Sequence, residues 1–108
     1  MKIYGLATCD TCRKARKALE AAGFDVEFRD LRADPPDSAE WADLLAAFGT
    51  ELVNRRSTTW RGLSEADRQQ DPVTLLAAHP ALMKRPVVID GSAMTCGWDA
   101  ATRARWGA

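Results

Sequence analysis

The chain has 108 residues, 46% of them hydrophobic, and its 15 Lys+Arg balance 15 Asp+Glu for a formal net charge of +0. That is enough for one domain with its own core and too little for two, and the charge balance excludes any bulk attraction to nucleic acid or to an anionic membrane. No apolar run approaches the ~18 residues of a membrane-spanning helix, "MKIYGLATC" lacks the apolar stretch of a signal peptide, and three cysteines are an odd count for a disulfide framework, so a single-domain cytoplasmic monomer (1–108) is expected.

The elements follow in chain order. "KIYGLA", Lys2 to Ala7, is compatible with a β-strand, after which Ala15, Ala18, Leu19 and Ala22 recur at helical spacing. Gly23 stands where a helix stop belongs, and "DVEFRDL" alternates, predicting a second strand with Val26, Phe28 and Leu31 on one face. Strand, helix and strand within some thirty residues form a βαβ unit with parallel strands. "ADPPDS" then breaks the pattern and offers Asp37 or Ser38 as a helix cap. Trp41, Leu44, Leu45 and Phe48 form one buried stripe closed by Gly49. Further on, "SEAD" at 64–67 resembles a capping box, and Asp71 caps a helix that has Pro72 at its first position, so 38–80 is expected to be mostly helical. "RPVVIDGSAMTCGW" reads as an antiparallel hairpin turning at Asp90-Gly91 with two extra turn residues, and Asp99 caps a short terminal helix. The order βαβ, helical segment, ββα is that of an α/β, thioredoxin-like fold with a mixed sheet and a helical insertion at about 33–84 between its halves.

Cys9 and Cys12 lie where the first strand gives way to the first helix. A C-x-x-C there can be a redox pair, half of a zinc site, or two small residues tolerated at a helix start. Zinc needs four ligands and only Cys96 and His79 remain, so no metal is expected. The redox reading has position in its favour, because a helix N-terminus stabilises a thiolate and Arg13 lies one residue past Cys12. Cys9 is then the nucleophile and Cys12 the thiol that resolves its mixed disulfide. His79, before Pro80, is expected to serve a helix end rather than as a general base. Cys96 alternates with Met94 and Trp98 as a packed strand thiol, and the cluster Arg13, Lys14, Arg16 and Lys17 is a solvated helix face by default.

"YGLATCDTCRKARKAL", "NRRSTTWRGL" and "HPALMKRPVVIDG" together resemble the arsenate reductase (ArsC)/Spx family of thioredoxin-like domains with a helical insertion. The resemblance implies that Cys9 is the nucleophile, that Arg56 and Arg85 hold an oxyanion or a glutathione carboxylate beside it, with Thr8 and Pro86 also on the substrate side, and that the Arg85-Pro86 peptide is cis. A planar guanidinium suits both anions through paired hydrogen bonds. Three branches are in view. Glutaredoxin-linked arsenate reductases carry a single loop cysteine and a further arginine where this chain has Gly97. Spx regulators share the C-x-x-C, bind the α C-terminal domain of RNA polymerase and are typically longer. The short tail and "TTW" at 58–60 resemble most the small thiol-reductase branch that uses glutathione. The expected activity is thiol–disulfide exchange with glutathione as co-substrate, no bound cofactor, and the Spx-type regulator as the alternative.

Overall fold

A computed structural model describes residues 1–108. The chain forms two units: one from Met1–Leu31 with Arg85–Ala108, the other from Arg32–Lys84.

In the first unit, β1 (Lys2–Gly5) leads into α1 (Asp10–Ala21) and β2 (Glu27–Asp30); later come β3 (Val87–Asp90), β4 (Ala93–Cys96) and α6 (Ala100–Trp106). The four strands form one sheet in the order β2-β1-β3-β4. β1 pairs with β2 in parallel, Ile3 opposite Phe28, while β1–β3 and β3–β4 are antiparallel, Ile3 opposite Val88 and Val88 opposite Thr95. The architecture is the mixed-sheet, thioredoxin-like fold expected from the order of elements. Buried Ile3, Leu19 and Val88 centre its core, with Phe24, Phe28, Trp98 and Trp106 packed around them. Phe24 meets Trp106 edge to face at 6.0 Å, and the Trp106 indole N–H donates to Thr95 Oγ1 at 2.8 Å.

Helix α1 buries Cys12, Ala15 and Leu19, the stripe its spacing predicts shifted one turn toward the N-terminus, and Ala22 is exposed. It ends in a Schellman motif: the Gly23 and Phe24 N–H groups donate to the Glu20 and Leu19 carbonyls, with Gly23 at φ 97°. β2 is shorter than its alternating pattern. Leu31 lies beyond the strand end, fully buried, its N–H donating to the Gly5 carbonyl at 2.9 Å. The hairpin turn also differs from expectation. Asp90 pairs with Ala93, so the loop is the two residues 91–92 with Gly91 at φ 60°, because a two-residue loop with a left-handed glycine follows the twist of the strands. Asp99 caps α6, accepting from the Thr102 N–H at 2.8 Å.

The second unit is helical: α2 (Ser38–Phe48), a 3-10 turn (Gly49–Leu52), α3 (Thr58–Arg61), α4 (Glu65–Arg68), α5 (Pro72–Ala78) and a 3-10 turn (Pro80–Leu82). Asp37 and Glu40 close a reciprocal capping box on α2; Ser57, Ser64 and Asp71 cap the shorter helices. Trp41, Leu44, Leu52, Leu75, Leu76, Leu82 and Met83 are buried. The unit closes on itself where Val53 bridges Met83 and the Lys84 N–H donates to the Leu52 carbonyl at 2.7 Å. No helix in either unit is long and apolar enough to cross a membrane.

Candidate functional site

β1 ends at Gly5 and the chain needs only Leu6–Cys9 to turn into α1. Leu6 ties both cysteines to this turn. Its carbonyl accepts from the Cys9 N–H at 3.0 Å, and its backbone also hydrogen-bonds the Cys12 thiol. Ala7, one residue on, donates its N–H to Asp30 Oδ2 at 2.9 Å, so the end of β2 anchors the turn.

Cys9 is the N-cap of α1, in extended conformation (φ −84°, ψ 120°), half-buried, and its sulfur closes no capping hydrogen bond of its own. Burial by itself pushes its pKa up. The amide of Cys12, the Cys12 thiol, the Arg85 charge and the amide of Thr11 outweigh that effect, and the pKa lies below its ordinary 9.0. The amides at the start of α1 thus favour the thiolate form of this half-buried sulfur. Cys12 shows the opposite displacement. It is fully buried, and burial first, then the neighbouring Cys9 sulfur, push its pKa up to about 12 against the pull of Leu6 and Arg85. The two thiols, three residues apart, are therefore displaced in opposite directions, Cys9 toward the thiolate and Cys12 toward the protonated thiol.

Gly5 is part of this arrangement, and helical or strand spacing alone does not bring it out. A Cβ there would lie 2.6 Å from Cys12 Sγ and 3.2 Å from Cys12 Cβ, so only glycine admits the buried thiol at this depth. The signal in the sequence is a glycine inside a strand pattern, which marks a close approach. Asp30 escapes sequence reasoning as well, since an acid at a strand end reads as solvated.

The expected site residues fall as follows. Cys9, Cys12 and Arg85 are brought together in the first unit, the Arg85 charge acting on both sulfurs. Pro86 is fully buried, follows a cis Arg85-Pro86 peptide as the resemblance implies, and its carbonyl accepts from the Gly97 N–H at 2.9 Å. Thr8 is exposed in the turn beside Cys9. Arg13 is exposed and forms an ion pair with Asp10, so Arg85 is the guanidinium whose charge reaches Cys9. Arg56 belongs to the helical unit, exposed, its N–H donating to Asn54 Oδ1 at 3.0 Å; it lines a cavity of about 530 Å³ with Arg55, Lys84, Glu51 and Asn54. His79 caps the C-terminus of α5, and Cys96 is half-buried in β4. No cluster of three or more His, Cys, Asp or Glu is placed to hold a metal ion.

A mixed sheet whose first strand delivers a C-x-x-C to a helix N-terminus, with a cis-proline entering the third strand, defines a thioredoxin-like, thiol-reductase-like protein. Residues 4–105 match the ArsC family, and the chain belongs to it. It is 37% identical over 98 residues to an uncharacterised protein of Haemophilus influenzae, covering 85% of this chain and 86% of that one. It is 30% identical over 103 residues to the global transcriptional regulator Spx of Bacillus subtilis, covering 90% and 79%. Among solved structures, an arsenate reductase (ArsC) related protein from Brucella melitensis superposes with a TM-score of 0.77 at 34% identity, over 95% of this chain and 91% of that one.

Proposed function

We propose that the protein is a cytoplasmic thiol–disulfide oxidoreductase that uses glutathione as co-substrate. The opposite displacement of the two thiols carries the reading: Cys9 lowered at a helix start, Cys12 buried and raised. The Cys9 thiolate attacks a disulfide or S-glutathionylated cysteine. An S–S bond forms to Cys9, the old S–S bond breaks, and the departing sulfur leaves as a thiolate that takes a proton from water. Once Cys9 is bound in a mixed disulfide its negative charge is gone, and with it two of the influences that hold the proton on Cys12. Cys12 can then lose that proton and displace the substrate thiolate, leaving a Cys9–Cys12 disulfide that two glutathione molecules reduce, or glutathione attacks Cys9 directly. Arg85 steadies the thiolate, and Thr8, Pro86 and Arg56 are assigned to the substrate side as the family resemblance implies.

The test is the pH dependence of Cys9 alkylation in the wild type, Cys12→Ser and Arg85→Gln, with glutathione adducts followed by mass spectrometry. The reading expects a Cys9 pKa below that of a free thiol, a rise in Arg85→Gln, and a Cys9–glutathione adduct that persists only in Cys12→Ser. An ordinary Cys9 pKa with a slow, stable Cys9–Cys12 disulfide would sink it.

Similarity to Spx over 90% of the chain favours a second reading. There, Cys9–Cys12 oxidation alters a surface that binds the α C-terminal domain of RNA polymerase, and no substrate is turned over. Pull-down with that domain in purified form, reduced against oxidised, separates the two. Arsenate reduction is disfavoured, because Gly97, where the resemblance places a further arginine, is buried at φ 87°.

A further inference from the structure

Thr11, Lys14 and Ala18 fall at i, i+3 and i+7 and so share one face of α1. Opposite them stand Trp98, just after β4, and Arg103 in α6, and the five residues line a groove of about 470 Å³ within the first unit. Two cations line this groove and no carboxylate does. Lys14 and Arg103 are exposed and neither takes part in an ion pair, whereas Arg13 and Arg16 on the same helix are paired with Asp10 and Glu20. Lys14 is exposed, as a solvated basic face expects, and it alone of the four basic residues of α1 also lines this groove. At its Thr11 end the groove lies two residues from Cys9, the N-cap of the same helix. From Thr11 to Ala18 it runs about 10 Å along the helix axis, the span of about three extended residues. Its apolar wall is half-buried Trp98 with Ala18.

We infer that this groove docks an acidic segment of a substrate protein, the residues flanking the oxidised cysteine that Cys9 attacks. This rests on the thiol-exchange reading and names its substrate class. Two unpaired cations select carboxylates, and the indole wall selects an apolar side chain between or beside them. Glutathione, which has carboxylates but no apolar side chain, leaves that wall uncovered, so a polypeptide is the better fit. The chain as a whole is neutral, so this local field supplies the discrimination that net charge cannot.

The test uses the full-length protein and three short peptides with a central S-glutathionylated cysteine flanked by Glu and Leu, by Gln and Leu, or by Lys and Leu. Stopped-flow measurement of Cys9 mixed-disulfide formation should rank acidic over neutral by about tenfold and basic last, with the gap closing as salt is raised. In Lys14→Gln/Arg103→Gln the acidic-to-neutral ratio should fall to near one, and in Lys14→Glu/Arg103→Glu the ranking should invert. Lys17→Gln, exposed on α1 and outside the groove, should keep the wild-type ranking. Equal rates for the three peptides, or an acidic preference that survives loss of both cations, overturns the proposal. A second arm separates it from the parent reading: the same peptides with S-methylcysteine, which cannot exchange, titrated by NMR against the Thr11, Lys14 and Trp98 amides. Acidic-selective shifts without exchange in the first arm would retire the oxidoreductase and keep the groove; no shifts and no selectivity would retire the groove.

Discussion

At the scale of single residues, the site depends on what is missing from Gly5. The thiol of Cys12 occupies the space that any other residue at position 5 would fill, 2.6 Å from the nearest possible Cβ. In Gly5→Ala either Cys12 leaves its buried position or β1 shifts, a conflict of about 1–3 kcal/mol. That corresponds to a loss of roughly 4–8 °C in Tm for each kcal/mol in a domain near this size. Adding Cys12→Ala removes the clashing sulfur, so thermal melts of the two single variants and the pair should reveal a strongly non-additive cycle in which the pair is more stable than the single variants predict. Simple additivity would mean the two positions do not compete. The same contact accords with the opposite displacement of the two pKa values: the Cys12 thiol, sealed under a glycine, is pushed up, and Cys9, half-buried among amides and a guanidinium, is drawn down.

Among elements, the turn from β1 into α1 is held from the side by β2, through the Ala7 N–H to Asp30 Oδ2 bond. Asp30→Ala should cost about 1 kcal/mol and speed exchange of the Ala7 amide about fivefold relative to the core strands. Asp30→Asn keeps an acceptor oxygen and should restore most of the protection; an Ala7 amide indifferent to both variants would remove β2 from the site. This bond also marks the limit of what periodicity conveys. The βαβ unit, the Asp37, Ser64, Asp71 and Asp99 caps, the Gly23 stop and the hairpin are readable because each is set by neighbours within four residues. The C-x-x-C is readable for the same reason, as spacing at a strand–helix junction. Gly5 against Cys12, Asp30 against Ala7 and Arg85 acting on Cys9 join positions 7 to 76 residues apart in sequence, which no local pattern encodes. Arg85 is reached through family resemblance alone, and Arg13, favoured by nearness in sequence, spends its charge on Asp10.

For the molecule as a whole, the proposed thiol exchange would couple redox state to stability. In the oxidised protein neither cysteine titrates, so the stability of the reduced form measured against the oxidised form at each pH isolates their contribution from every other group. Between the lowered folded pKa of Cys9 and the 9.0 of an unfolded thiol, the unfolded chain holds the extra proton, so the stability of the reduced form rises with pH. Above 9.0 the balance reverses. Folded Cys12 keeps a proton, up to a pKa of about 12, that the unfolded chain has lost, and the stability of the reduced form falls. The difference should peak near pH 9, as measured by urea unfolding of both forms across a pH series. Cys12→Ala against Cys9→Ala/Cys12→Ala should retain the rise and lose the alkaline fall; a flat difference from pH 6 to 10.5 would mean neither thiol is displaced by folding. Stability and reduction are linked by one thermodynamic cycle, with ~1.4 kcal/mol equivalent to about 30 mV for this two-electron couple. A fold that lowers the Cys9 pKa in this way shifts that cycle toward the dithiol form.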